Sequence, residues 1–195
     1  LPLGIKTIFK NHLFARTLQL NCLNTHYSKL WERNWKDEFQ DFHWCVKDKR
    51  LKPYSSLERT WSVKTPLRNW FERRFALIEI DVISSISLGL TFEELILIYS
   101  LQFPVLQQNE EDTWYDQKGN IVFTCSKGLN GVGLDRSVWN TIKDMKEGKI
   151  YEHTIKKSEL YYEEKVTYYA PFEKCDRIED YKVAWAHFEK IFNQN

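Results

Sequence analysis

The sequence predicts a mixed α+β domain dominated by helices, built on a central αα-hairpin with a small antiparallel sheet or β-hairpin packed against it. Three observations lead there. A long apolar run from Pro66 to Pro104 is interrupted only at Gly89, where one helix stops and a second starts. Gln117-Lys118-Gly119-Asn120 sits between two short apolar-aromatic runs, a hairpin signature with glycine free to take positive φ. Tyr181, Trp185, Phe188 and Phe192 draw one apolar stripe near the end of the chain.

In chain order, residues 1–65 divide into a strand, a helix and a basic loop. Leu18, Leu20 and Cys22 alternate with polar neighbours, so Arg16 to Leu23 reads as a half-buried strand. Asn24 can cap the next segment, in which Tyr27, Leu30, Trp31, Trp35, Phe39 and Phe42 fall on one face of a four-turn helix. From His43 to Thr65 the periodicity fails and Pro53 with Ser55-Ser56 breaks any helix, which makes this an extended loop. Residues 66–104 form the helical hairpin. Pro66 suits a first helical turn, Gly89 a left-handed C-cap, and Thr91 with Glu94 a capping box. Pro104 disfavours helical geometry at Phe103 and ends the second helix there. Residues 105–195 contain the β-hairpin (Thr113 to Asp116 with Ile121 to Cys125), a glycine-rich loop and a short helix from Ser137 to Glu147. A strand from Lys165 to Tyr169 follows, and then a last helix capped by Asp176 and Glu179.

A chain of 195 residues that is 43 % hydrophobic, with eight Trp, ten Tyr and twelve Phe, carries enough apolar surface for a single folded domain. It opens Leu1-Pro2-Leu3-Gly4 without an initiator Met, which reads as part of a longer polypeptide. The most apolar stretch, Phe75 to Leu90, includes Glu79 and Asp81, and reads as a core helix with no membrane partner. Those two carboxylates either anchor an arginine or cap a neighbouring backbone segment. Cysteines 22, 45, 125 and 175 form no paired motif and fit a reducing compartment, the cytoplasm. Cys22, His26, His43 and Cys45 lack the usual zinc-ligand spacing.

The net charge of +1 is unevenly distributed. Between His43 and Arg74 nine basic residues face three acidic ones, a local +6 that leaves about −5 for the rest. Trp44, Tyr54, Trp61 and Trp70 interleave with these cations, the pattern expected where phosphates are neutralised and bases pack on rings, and equally that of a solvated basic loop whose rings tuck into a core. The residues assigned to DNA-backbone contact are Lys47, Lys49, Arg50, Lys52 and Arg59, supported by Lys127 and Arg136 beside the segment Ser126 to Gly133. That glycine-rich segment lacks the lysine and hydroxyl of a nucleoside-triphosphate loop. It is either a backbone clamp or a tight connector. Glu163-Glu164-Lys165, with Asp144 or Asp135 upstream, has the residue types of a metal-dependent nuclease. No catalytic elbow, zinc helix or dinucleotide fingerprint occurs.

Several word-like strings carry a family resemblance: Arg16-Thr17-Leu18-Gln19-Leu20-Asn21-Cys22-Leu23, Pro66-Leu67-Arg68, Glu72-Arg73-Arg74, Ile78-Glu79-Ile80-Asp81, Leu88-Gly89-Leu90-Thr91, Gln102-Phe103-Pro104-Val105, Thr113-Trp114-Tyr115-Asp116 and Ala170-Pro171-Phe172. The chain, from about Arg16 to Phe192, resembles the C-terminal region of large adenine-specific DNA methyltransferases of the type IIG restriction-modification and phage-defence class. The S-adenosylmethionine loop and the Asn-Pro-Pro-Tyr/Phe motif of such enzymes are missing here. The resemblance therefore implies that methyl transfer and its cofactor belong to an upstream domain of the parent polypeptide. This chain then supplies non-catalytic DNA contacts, interdomain packing or both, with no catalytic, metal or cofactor residue of its own. Two other functions stay open: a module docking the methyltransferase core or a defence partner, and the nuclease.

Overall fold

The computed structural model describes residues 6–125, 133–155 and 164–193, and the chain is an α+β protein dominated by helices, with small antiparallel sheets of two and three strands. Contacts group the residues into two compact units. The first holds residues up to Arg68, then Glu72–Leu101 and Arg177 onward; the second holds Asn69–Phe71 and Gln102–Asp176.

In the first unit, α1 (Thr7–Asn21) replaces the expected strand from Arg16 to Leu23. The alternation of Leu18 and Leu20 misled because this helix is buried on several sides: His12, Arg16 and Gln19 share a polar stripe that also faces inward. Apolar periodicity cannot reveal a helix whose buried face is partly polar. The expected four-turn helix after Asn24 is likewise interrupted. α2 (Ser28–Asn34) ends where Trp35 turns extended at φ −58° and ψ 138°, and a short 3₁₀ turn follows at Asp37–Asp41. Trp31 and Phe39 are fully buried on either side of the break, and Trp35 lies 5.5 and 5.6 Å from their rings. The stripe is core as read, although Tyr27 and Leu30 stay exposed.

The helical hairpin forms as expected, from α3 (Trp70–Ser87) and α4 (Phe92–Gln102). Its connection follows the sequence closely. Gly89 has φ +78°, the Leu90 and Gly89 amides donate to the Ser85 and Ile86 carbonyls, and Thr91 and Glu94 exchange the two bonds of a capping box. Pro66 does not open α3. The Leu67 amide donates to the Gln19 carbonyl at 3.0 Å instead, and the helix starts at Trp70. The last helix, α7 (Arg177–Asn193), buries Tyr181, Ala184 and Phe188; Tyr181 lies 5.7 Å from the Tyr99 ring of α4, while Phe188 meets His12 of α1 and Phe192 lies 4.3 Å from Phe9.

The second unit contains α5 (Pro104–Glu111), which begins at the proline that stops α4. β1 (Trp114–Tyr115) pairs antiparallel with β2 (Ile121–Phe123) and also with β5 (Glu173–Lys174), a strand not anticipated from the sequence. Asp116, fully buried, organises the turn: its carboxylate accepts from the Lys118, Asn120 and Tyr169 amides and from the Asn120 side chain. α6 (Arg136–Ile142) is shorter than expected, and the chain passes Gly148 at φ +80° into β3 (Ile150–Ile155), which pairs antiparallel with β4 (Glu164–Tyr169). Trp139 anchors this core, stacked on Phe123 at 5.5 Å. Most of the glycine-rich segment, including Lys127, lies outside the described residues.

Gly119 has φ +82°, and a Cβ there would meet the Asn69 Oδ1 at 2.5 Å and the Phe71 Cβ at 3.0 Å, whereas Gly89 has open space. Gly89→Ala should therefore cost only the left-handed strain, about 1–2 kcal/mol. Gly119→Ala should cost clearly more, and urea-unfolding midpoints of the two variants measure the difference.

Candidate functional site

The basic segment packs on α3, and acidic residues of that helix hold its irregular backbone. The Glu72 carboxylate accepts from the Lys52 amide at 3.0 Å and from the Arg68 amide at 3.2 Å. One turn pair further on, Glu79 is fully buried; its Oε2 accepts from Arg16 Nε at 2.5 Å and its Oε1 from the Cys45 amide at 2.7 Å. Glu79 thus anchors an arginine and caps a backbone segment at once. Asp81 takes the same kind of role, accepting from Tyr181 Oη at 2.7 Å and Arg177 Nη1 at 3.3 Å.

Arg16 is wholly buried in an aromatic cage, with Phe188, Tyr54 and Trp44 rings 5.0, 5.2 and 6.0 Å from its guanidinium carbon. Burial works against its charge, and the Glu79 carboxylate reverses that and keeps it protonated. Burial pushes the Cys45 thiol up, and Glu79 adds to the effect, so this cysteine is not a thiolate nucleophile.

Tryptophans of α2 and of the basic segment satisfy carbonyls in and beside this loop. Trp31, Trp44 and Trp61 donate their indole N–H groups to the Glu58, Lys52 and Cys22 carbonyls at 2.7–2.9 Å. Several cations do the same. Lys52 Nζ donates to the Thr65 and Pro66 carbonyls at 3.0 Å each and also to that of Lys64, and burial lowers its pKa. Arg68 and Arg73 reach the Leu23 and Leu20 carbonyls, and Arg74 pairs with Asp180 at 2.6 Å.

The residues assigned to DNA contact therefore separate. Lys47, Lys49 and Arg59 are exposed. Arg50 is twin-bonded to Asp48 at 2.7 and 3.0 Å, with its side chain only 9 % exposed, and Lys52 is committed to the loop. Arg136 belongs to the second unit, where it pairs with Asp112 at 3.2 Å and lies over the Phe123 ring. Lys47 and Lys49 line a groove of about 480 Å³ with Phe42, His43, Trp44 and Tyr54. The sequence offered no signal for a second cavity beside it, about 450 Å³, lined by His12, Asp41, Phe42, His43, His187, Lys190 and Ile191. Burial and nearby Arg16 bring the His12 imidazole down to about 3; burial also lowers His187.

Among the described residues no group of three His, Cys, Asp or Glu side chains is placed to hold a metal ion. Cys22 is buried, while His26 and His43 are exposed. Of the nuclease residues, Glu163 lies outside the described residues, and Asp135, Asp144 and Lys165 are exposed. No helix among the described residues is long and apolar enough to cross a membrane. Comparison with protein-family models, curated proteins and solved structures finds no match.

Glu79→Ala should destabilise the protein by about 3–5 kcal/mol, because it leaves the Arg16 charge buried and unpaired. The double variant Arg16→Met with Glu79→Leu should recover much of that loss. Chemical denaturation of the three proteins provides the comparison, and a double variant no more stable than Glu79→Ala would contradict this account.

Proposed function

We propose that this chain is a non-catalytic, DNA-engaging domain of a restriction-modification-type adenine-specific methyltransferase, acting in the cytoplasm on the DNA phosphate backbone. The observation that carries the reading is the separation of the cations in the basic segment. Arg50, Lys52 and Arg68 hold the loop, while Lys47 and Lys49 remain exposed at an aromatic-lined groove. Internal hydrogen bonds fix the backbone that displays these two lysines, so little ordering is required on binding a polyanion. Arg59 and Lys64 are also exposed in the same unit. Arg50, Lys52 and Arg136 serve chiefly as structural residues in this reading.

S-adenosylmethionine is assigned to the upstream domain of the parent protein. The elements walling both cavities, α1, residues 40–55 and α7, contain no glycine and offer no close backbone cradle for such a cofactor. No methyl-transfer step is derived for this chain.

A second reading, a module that docks another protein, draws on α4. Leu97, Ile98 and Leu101 are 57 %, 41 % and 69 % exposed there, more apolar surface than a solvated helix normally shows. The two readings separate by mutation. In mobility-shift titrations across salt concentrations, Lys47→Ala with Lys49→Ala should weaken duplex binding and reduce the magnitude of the salt slope by about 2. Lys52→Ala should chiefly lower stability. Duplex binding that is absent at low salt, or indifferent to the two lysines, would favour the docking module.

A further inference from the structure

The cavity between α1, the Asp41–His43 segment and α7 gathers three imidazoles around a seam that holds two helices together. His12 is 5 % exposed and clamped between rings: it stacks on Phe42 at 3.9 Å and meets Phe188 and Phe192 edge-on at 5.7 and 5.6 Å. Its Nδ1 lies 3.4 Å from Arg16 Nη1. An arginine can only donate, so Nδ1 must present its lone pair, and the ring must be neutral for this contact to exist. A second proton would turn acceptor into donor beside a permanent cation. On α7, His187 has an Nε2 that is buried without a hydrogen-bond partner among the described residues, next to the well-packed Phe188.

The charges facing this seam are unbalanced. Arg16 comes from α1, His43 from the connecting segment, and Lys190 from α7 beside His187. Of the acids, Glu79 binds Arg16 and the Cys45 amide with its two oxygens; its charge and a hydrogen bond to the His43 backbone favour a proton on His187, but burial outweighs them, and Asp41 is exposed at the cavity. Tyr54 and Cys45 remain neutral, since burial pushes both up.

We propose that the α1–α7 seam is an acid-sensitive latch, closed while His12 and His187 are neutral and released when they take up protons. Release frees α7 from the Phe9, His12 and Arg16 side of α1, and it loosens Phe42 and His43, which also wall the lysine groove. The sign follows from linkage. Both imidazoles have native values below the ordinary 6.5, so their stabilising effect is complete above that pH and is lost as pH falls toward the native values. Each such group raises the open population about tenfold per pH unit across that window.

Amide hydrogen exchange, corrected for its intrinsic pH dependence, tests it on the whole chain between pH 7.5 and 4.5. Amides of α1 and α7 should lose protection steeply below about pH 6.5, while those of β1 and β2 change little. His187→Gln should make that loss shallower. Asp41→Asn, which removes the exposed carboxylate at the cavity, should deepen the loss at the acid end of the range. Protection of α7 that is flat over this range, or a pH dependence untouched by both substitutions, would overturn the proposal.

Discussion

The buried pair of Arg16 and Glu79 is the interaction on which the first unit depends. A charge with no exposed surface is tolerable only if an opposite charge and further hydrogen bonds meet it. Here the requirement draws in three parts of the chain. α1 provides the guanidinium, α3 the carboxylate, and the loop the Cys45 amide that takes the second carboxylate oxygen. The rings of Trp44, Tyr54 and Phe188 close around the cation, so α7 also meets the pair. Shifting any of these four elements would leave a charge exposed to an apolar interior. That makes the pair a device for specifying one arrangement more than a source of net stability.

The same logic extends along α3. Glu72, Glu79 and Asp81 each reach outside their own helix, two of them to backbone amides of the basic segment. A segment without regular structure has backbone groups that helices and sheets would otherwise satisfy. In this protein acids of α3 accept from its amides, while tryptophans, lysines and arginines donate to carbonyls within and beside it. Much of the local positive charge is therefore structural. What stays exposed is smaller and better defined: two lysines beside an aromatic-lined groove, with Arg59 and Lys64 in the same unit.

Buried polar residues also explain why a seam can be both firm and conditional. His12 packs like a small aromatic residue, and its contacts with Phe42, Phe188 and Phe192 are those of a core ring. Unlike phenylalanine it carries a nitrogen whose proton count responds to the medium. The packing of α7 thus acquires a dependence on solution conditions that an all-carbon seam would lack.

Local rules were enough for the α3–α4 connection, the glycine turn between β1 and β2 and the amphipathic α7, because capping boxes, left-handed glycines and apolar stripes are decided within a few residues. Those features were legible in the sequence by itself, as were the helix-dominated class and the anchoring roles of Glu79 and Asp81. Tertiary structure alone decided that residues 16–21 continue a helix, since a buried face made of His12, Arg16 and Gln19 erases the apolar period. It alone decided which cations are exposed: Lys49 stays in solvent, whereas Lys52 is held by the Thr65 and Pro66 carbonyls across the loop. The histidine cavity was equally hidden. Its residues come from positions 12, 41–43 and 187–191, and only folding brings such distant side chains to one surface.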